Sequence, residues 1–149
     1  MGKIMFVFIL LLLPCTDAEA EAASPRIDLS IIATIESGAN PCAYNAREQA
    51  YGMYQIREGA LADYNTAGPG RARPLVLSDM YDSLISEVVA RWYFDVAIPR
   101  YLKYFKIKDT LENRIIAWNA GIGTLASGRP VPPITRAYIR VYKEMAGLV

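Results

Sequence analysis

Apolar positions in this chain form one unbroken run near the start and then several stretches with the period of an α-helix. The run covers residues 4–13, far short of the roughly 20 residues that a membrane-spanning helix needs. The first periodic stretch carries two adjacent stripes, made of Ile27, Ile31 and Ile35 and of Leu29, Ile32 and Glu36. This spacing predicts a largely buried helix that begins with Ser24 as N-cap and Pro25 as first residue and ends at Ser37-Gly38.

Further helices are predicted, separated by segments rich in turn-forming residues. The first covers residues 53–63, and the last is capped by Thr135. Between them, a long helix is opened by Ser78-Asp79 and marked by Leu84, Val88, Trp92 and Val96. Another is capped by Thr110 and ended by Gly121 and Gly123. Pro99 breaks or kinks the long helix. Residues 39–52 are expected to be a loop or a small irregular hairpin, and residues 65–74 and 128–133 to be loops. The predicted fold class is mainly α.

Composition and charge narrow the class of protein. The chain has 149 residues, which fits a single domain, and 53% of them are hydrophobic, which can supply a core. A net charge of +1 is too weak for a typical nucleic-acid-binding protein, so no nucleic acid partner is expected. The sequence contains no His, which excludes His-based triads and argues against a catalytic zinc site. We therefore expect neither a metal nor another cofactor.

Residues 1–20 are predicted to be an export signal. Lys3 precedes the apolar run, Pro14 ends it, and Ala18-Glu19-Ala20 provides a cleavage site, with residues 20–22 as a second option. The protein is then exported to the periplasm, the cell surface or the medium, and it meets the membrane only through its signal. An uncleaved membrane anchor is the alternative.

The mature domain is predicted to span residues 21–149. Cys15 leaves with the signal, so Cys42 has no partner for an intramolecular disulfide. Without a His to activate it, Cys42 is expected to be a partly buried structural residue rather than a nucleophile.

Three short motifs carry the candidate chemistry. They are Glu36-Ser37-Gly38, then Gly52-Met53-Tyr54-Gln55, then Ala117-Trp118-Asn119-Ala120-Gly121. This ordered set resembles the E-S, G-L-M-Q and A-Y-N-A-G signature of the lytic transglycosylases (the SLT domain family), relatives of goose-type lysozymes in the lysozyme-like superfamily. The resemblance also includes Asn40-Pro41 and residues 133–139, and it covers roughly residues 27–145. It implies a lysozyme-like helical domain, with a small hairpin or loop region after the catalytic helix, that cleaves peptidoglycan.

The resemblance also implies which residues form the site. Glu36 matches the catalytic acid/base of the family. Protonating a glycosidic oxygen requires a carboxylic acid with a raised pKa, and the apolar stripe that Glu36 shares fits that requirement. The implied substrate-binding residues are Ser37, Met53, Tyr54, Gln55, Trp118, Asn119 and Tyr138.

Two positions depart from the family pattern. Trp118 stands where the family usually has a Tyr that hydrogen-bonds the glutamate, and an indole N–H can donate to a carboxylate but cannot accept from a protonated acid. Tyr54 stands where Met is usual, and Tyr44 and Tyr51 lie nearby in sequence. One of these three tyrosines is a candidate for the missing hydroxyl, and plain aromatic packing is the alternative.

A second carboxylate suited to hydrolysis is not evident. Goose-type lysozymes keep aspartates at positions matched here by Ala46 and Arg57, while Glu48 and Glu58 are expected to form solvated pairs with neighbouring arginines. The resemblance then implies a substrate-assisted reaction. Glu36 protonates the leaving oxygen, the N-acetyl group of the substrate stabilises the cationic centre, and ring closure gives a 1,6-anhydromuramoyl end without consuming water.

Two groups of residues are weaker candidates. Arg71 and Arg73 could contact anionic stem peptides or muramoyl carboxylates, although such loop arginines are more often simply solvated. Tyr101, Tyr104 and Phe105 could stack on sugars, although their helical spacing favours packing.

The leading hypothesis is a secreted lytic transglycosylase that cuts the β-1,4 bond between N-acetylmuramic acid and N-acetylglucosamine. Its partners are peptidoglycan glycan strands and, as a further hypothesis, an envelope-spanning secretion, conjugation or phage machine. The alternatives are a hydrolytic muramidase, a non-catalytic glycan-binding or assembly module on the same fold, and a membrane-anchored helical structural protein.

Overall fold

Helices account for most of residues 25–149, the part of the chain that the computed structural model describes. In chain order they are α1 (Leu29–Ser37), α2 (Glu58–Ala67), α3 (Ser83–Trp92), α4 (Ile98–Tyr104), α5 (Leu111–Asn119), α6 (Ile122–Ala126) and α7 (Pro133–Met145). The prediction of a mainly α fold is confirmed. The predicted signal, Cys15 and Ser24 lie outside the described residues. Within the described range, no helix has both the length and the apolar character needed to cross a membrane.

The first helix begins later than the sequence suggested. Asp28 is its N-cap, because its carboxylate accepts a hydrogen bond from the Ser30 N–H at 2.9 Å. Pro25 precedes the helix, so the predicted start at Ser24-Pro25 is wrong. The segment between them stays non-helical, with Ile27 buried and its carbonyl accepting from Arg91 at 3.2 Å. The predicted end is confirmed, since the left-handed Gly38 (φ 66°) closes the helix.

A short antiparallel hairpin follows α1, as the sequence allowed. Strands β1 (Tyr44–Asn45) and β2 (Ala50–Tyr51) pair so that Tyr44 lies opposite Tyr51, with ring centroids 4.8 Å apart. Cys42 lies just before β1 and is exposed, so its predicted burial is wrong. The residues around it, Asn40, Tyr44 and Asn45, are exposed as well, so this segment gives the thiol little cover.

Helix α2 starts and ends later in the chain than the predicted helix over 53–63. Gly52 to Gln55 form a turn in which the Gly52 carbonyl accepts from both the backbone N–H and the side-chain amide of Gln55, at 3.1 and 2.9 Å. This turn has Gln55 at φ 49°, a left-handed conformation that a helix cannot contain. Helix α2 therefore starts only at Glu58, and it continues to Ala67, into the predicted loop, before a 3-10 turn over Pro69–Arg71.

The long helical pattern also begins at a different cap. Residues Leu77–Tyr81 form a separate 3-10 turn, and Asp82 caps α3 by accepting from the backbone of Leu84 and Ile85. The predicted interruption at Pro99 is present as a π-helical turn over Tyr93–Ala97 that leads into α4. A wider turn suits this place because Pro99 has no N–H with which to continue the α-helical ladder.

The first two positions of the stripe that marked this helix in the sequence face outward, whereas Trp92 and Val96 are half-buried. Leu84 is 76% exposed and Val88 54% exposed. The buried face of α3 carries Ser86, Val89 and Ala90 instead, and α3 packs against α1 and α2. Small side chains on this face allow the helices to approach closely.

The C-terminal helices follow the predicted order. Thr110 caps α5 by accepting from the Asn113 N–H at 3.1 Å, as expected, and Gly121 (φ 82°) separates α5 from α6. Gly123 lies inside α6 rather than ending α5. The predicted cap at Thr135 is wrong, because α7 already begins at Pro133 and Thr135 is buried in its first turn.

Gly52 fixes the position of the turn that follows the hairpin. It has φ 72°, and a Cβ added there would lie 1.9 Å from the Met80 carbonyl oxygen. Gly38 has a similar φ, but a Cβ added there would meet no atom within 4 Å. A side chain at either position would thus strain the backbone, but only at Gly52 would it also overlap a neighbouring atom.

We expect Gly52→Ala to lower the free energy of unfolding by about 3 kcal/mol or more, because strain and overlap add. Gly38→Ala, the matched control, should cost only about 1 kcal/mol. Urea denaturation followed by circular dichroism measures both values. Equal losses in the two variants would show that the close approach to Met80 does not constrain this turn.

Candidate active site

The carboxyl group of Glu36 lies where α1, α5 and α7 meet. The indole Nε1–H of Trp118 donates to Glu36 Oε1 at 2.8 Å, and the hydroxyl of Tyr138 donates to the same oxygen at 3.1 Å. Glu36 is itself partly buried at the last turn of α1. Three residues singled out from the sequence therefore form one hydrogen-bonded group.

The surroundings of Glu36 favour its protonated form. Burial is the largest influence and raises the pKa of the Glu36 carboxyl above its ordinary value of 4.5. The hydrogen bonds from Trp118 and Tyr138 and the charge of Arg57 act in the opposite direction, while the charge of Glu48 adds to the rise. The effect of burial on the pKa is larger than the opposing effects, so Glu36 favours its protonated form, as a general acid requires.

The two donors also assign different tasks to the two oxygens of this carboxyl. Trp118 is an obligate donor, so Oε1 must accept from it in either protonation state of Glu36. The acidic proton then resides on Oε2, which carries neither of these bonds. Tyr138 has the same carboxylate beside it, and burial together with that charge raises the pKa of its hydroxyl well above the usual range. The Tyr138 hydroxyl thus remains protonated and acts as a donor.

Trp118 is held by aromatic residues that the sequence patterns did not single out. The ring of Phe94 stacks on it with centroids 4.6 Å apart and planes 27° apart, and Tyr93 meets it edge-on at 5.8 Å. Both residues belong to the π-helical turn, where helical periodicity is lost. Arg114 secures this turn, because its guanidinium donates to the Phe94 carbonyl at 3.2 Å.

The first two motifs are joined through Ser37. Its hydroxyl donates to the Met53 carbonyl at 2.8 Å and accepts from the Asn40 N–H at 3.1 Å. This bond ties the residue after Glu36 to the turn that contains Met53 and Gln55, both partly exposed. Ser37 thereby positions the turn relative to the carboxyl.

Asn119 is oriented by the first turn of α7. Its Oδ1 accepts from the Thr135 hydroxyl at 2.6 Å, and Asn119 remains partly exposed. This bond holds the amide of Asn119 against the first turn of α7. Buried Thr135 is therefore a supporting residue of the third motif.

Tyr54 lies apart from this group. It is 4% exposed and lines a different cavity, together with Asp28, Glu87 and Arg91. Tyr44 and Tyr51 pack on each other in the hairpin. The hydroxyl that contacts Glu36 belongs to Tyr138, more than 100 residues away along the chain.

A cavity of about 420 Å³ adjoins Trp118, a size that suits a small ligand or a segment of a longer one. Its lining includes Gln55, Arg57, Gly59, Ala60, Asp63, Tyr93, Trp118 and Gly121. The carboxylate of Asp63 accepts from the Tyr101 hydroxyl at 2.6 Å. Burial, with the Asp63 charge and hydrogen bond as smaller causes, raises the pKa of Tyr93 to about 12. Asp63 and Tyr93 stand outside the three motifs.

One family model matches residues 16–129, and it describes the transglycosylase SLT domain. The chain belongs to the SLT domain family. Comparison with curated proteins and comparison with solved structures each gave no significant match. Membership confirms the resemblance drawn from the three motifs, and the helical architecture agrees with a lysozyme-like domain. At the level of the family, it points to peptidoglycan as substrate and to lytic transglycosylase activity.

The remaining charged candidates of this SLT domain lie outside the hydrogen-bonded group around Glu36. Glu48 pairs with Arg57, and about half of each side chain is exposed, which fits the expected solvated pair. Glu58 is exposed at the start of α2. Arg71 and Arg73 are exposed and are not part of the lining of the cavity beside Trp118.

The aromatic candidates of the α4 region differ in their contacts. Tyr101 has its hydroxyl bound to Asp63, so it serves packing and hydrogen bonding near the cavity. Tyr104 is 78% exposed and Phe105 42% exposed, and their rings pack edge-to-face on each other at 4.9 Å.

We expect Glu36→Gln to raise the free energy of unfolding at neutral pH. Because the folded-state pKa of Glu36 is raised, the wild type loses stability as the pH rises from about 4.5 to that higher pKa, by about 1.4 kcal/mol for each pH unit between the two values. The variant has no proton to lose there. Its advantage should therefore vanish below pH 4.5, as measured by urea denaturation at several pH values. An advantage independent of pH would contradict a raised pKa.

We expect Trp118→Phe to raise the pKa of Glu36 further, because it removes a donor that favours the carboxylate. Carbon-13 NMR of the Glu36 carboxyl measures the titration. Tyr93→Phe is the matched control, since the Tyr93 ring also touches Trp118 while its hydroxyl bonds Asp63 rather than Glu36. A lower pKa in Trp118→Phe, or an equal rise in both variants, would refute the assigned role of the indole N–H.

Proposed function

We propose that this SLT domain is a lytic transglycosylase that cleaves the β-1,4 bond between N-acetylmuramic acid and N-acetylglucosamine and leaves 1,6-anhydromuramoyl ends. The observation that supports this most is the Glu36 carboxyl, whose Oε1 is occupied by Trp118 and Tyr138 and whose pKa is raised by burial. Such a group can give up a proton from Oε2 and take one back at the same place.

In the first step, Glu36 donates its proton to the glycosidic oxygen. The bond between that oxygen and C1 of the muramoyl residue breaks, and the N-acetylglucosamine end leaves as an alcohol. The carbonyl of the substrate's own N-acetyl group stabilises the positive charge that develops at C1. The Glu36 carboxylate that results keeps its two donors on Oε1, which stabilise its charge.

In the second step, the Glu36 carboxylate removes the proton from the C6 hydroxyl of the same muramoyl residue. Oxygen O6 then bonds to C1 and closes the anhydro ring, and Glu36 regains its starting protonation state. One carboxyl group therefore carries out both proton transfers, and no water is consumed.

The other carboxylates near the site support ring closure over hydrolysis. Glu48 is engaged by Arg57, and Asp63 by the hydroxyls of Tyr101 and Tyr93. Each of these carboxylates already accepts from a partner, which leaves it less free to orient an attacking water. Arg57 also occupies the position that matches an aspartate in goose-type lysozymes.

The proposal includes export. The composition of residues 1–20 supports a signal that directs the domain to the periplasm, the cell surface or the medium, where peptidoglycan lies. Association with an envelope-spanning secretion, conjugation or phage machine is a further part of the proposal, in keeping with the small size of the domain.

We expect the purified domain to release fragments with anhydro ends from isolated sacculi, detected by mass spectrometry. Glu36→Gln should lower the rate at least about 100-fold, because it removes the only proton donor of the first step. It should still sediment with sacculi, since Gln keeps an acceptor for Trp118 and Tyr138.

Two outcomes would contradict this proposal. Fragments with ordinary reducing ends would identify a hydrolytic muramidase. Binding to sacculi without cleavage by the wild type would identify a glycan-binding or assembly module.

A further inference from the structure

We propose that Arg57 binds a carboxylate of the substrate beside the scissile bond, so that the domain selects glycans that carry acidic groups. This inference rests on the proposed function and adds a specificity determinant to it. Arg57 is the one cation among the described residues that line the cavity next to Trp118. None of the three motifs contains it.

The charge of Arg57 is close enough to the reaction centre to act there. It influences the Glu36 carboxyl directly, in the direction that favours the carboxylate. Trp118 connects the two regions, since its indole N–H reaches Glu36 while its ring lines the cavity with Arg57. A ligand in this cavity therefore contacts the residue that hydrogen-bonds the glutamate.

Arg57 is also available for exchange of partners. In the free protein it pairs with Glu48, and half of each side chain is exposed to water. An exposed ion pair contributes little stability, so a substrate carboxylate can replace Glu48 at small cost. The guanidinium offers two parallel N–H donors, which match the geometry of a carboxylate.

The rest of the lining leaves space for such a group and competes little with it. Gly59 and Ala60 have small side chains at the start of α2. The acidic residue of the lining, Asp63, is turned to the hydroxyls of Tyr101 and Tyr93. Arg57 thus gives the cavity its positive end.

Muramoyl residues offer carboxylates from two sources. A strand with intact stem peptides carries peptide carboxylates, and a strand stripped of peptides by an amidase carries the free carboxylate of its lactyl group. Chitin oligosaccharides have the same β-1,4 linkage and N-acetyl groups but no carboxylate. Intact strands, peptide-stripped strands and chitin therefore distinguish a peptide carboxylate, a lactyl carboxylate and the absence of a carboxylate.

The test measures binding in the non-cleaving Glu36→Gln background, by sedimentation with intact and with peptide-stripped sacculi and by calorimetry with chitin oligosaccharides. We expect added Arg57→Gln to weaken binding to one or both carboxylate-bearing strands about tenfold and to leave chitin binding unchanged. The strand that responds identifies the source.

Glu48→Gln in the same background should have the opposite effect on binding. It frees Arg57 from its competitor, so binding to the responding strand should become tighter. If the pair were merely structural, loss of either partner would weaken binding in the same direction. Arg140→Gln is the matched control, because it breaks an exposed pair with Glu144 on α7, outside the cavity.

Several outcomes would overturn the inference. They are unchanged binding in Arg57→Gln, an equal loss with chitin, an effect of equal size in Arg140→Gln, or weaker binding in Glu48→Gln. Far-ultraviolet circular dichroism of each variant reports folding, and Glu48→Gln keeps the test decisive if Arg57→Gln unfolds.

The proposed function is tested separately by cleavage of sacculi with the wild type. If anhydro ends appear while Arg57→Gln binds normally, the carboxylate site is refuted and the proposed function stands. If no cleavage occurs while the discrimination persists, the function fails and the carboxylate site belongs to a binding module.

Discussion

The arrangement of this domain depends on one carboxyl oxygen, Glu36 Oε1, that receives hydrogen bonds from two distant helices. Trp118 comes from α5 and Tyr138 from α7, while the carboxyl itself ends α1. Bringing a carboxylate into partly buried surroundings costs free energy, and two donors offset part of that cost without cancelling the rise in pKa. The contacts of α1 with α7, and of α7 with α5, are thus the same contacts that set the acidity of Glu36.

Replacing the usual Tyr by Trp118 changes the chemistry less than the sequence suggested. A tyrosine at that position would serve as donor and acceptor, whereas the indole only donates. Tyr138 supplies a hydroxyl at the same oxygen, so Glu36 still has a tyrosine hydroxyl as a hydrogen-bond partner. The larger indole ring also provides a surface on which Phe94 stacks, which fixes the donor in place.

The sequence was sufficient for the mainly helical fold, the hairpin, the family and the residues around Glu36, because motifs and periodicity depend on local spacing. It was insufficient for helix starts, where Asp28, Asp82 and Pro132-Pro133 displaced other plausible caps. Several cap residues stood within a few positions of each other, and tertiary contacts such as the one between Arg91 and the Ile27 carbonyl decided between them. The buried face of α3 and the support of Trp118 by Phe94 were also beyond the sequence. The π-helical turn shifts the register there, and no periodic pattern encodes that shift.

The position of Arg57 connects specificity with the choice of reaction. A carboxylate at this place could act as a base for water, whereas a guanidinium cannot, since it stays protonated at every accessible pH. The cation instead pairs with Glu48 and lowers the pKa of Glu36 against the effect of burial, which keeps the glutamate able to act as base in the second step. The same guanidinium is the group proposed to receive a substrate carboxylate in place of Glu48. One residue beside Trp118 thus bears both on the acidity of Glu36 and, under that proposal, on which strands the domain recognises.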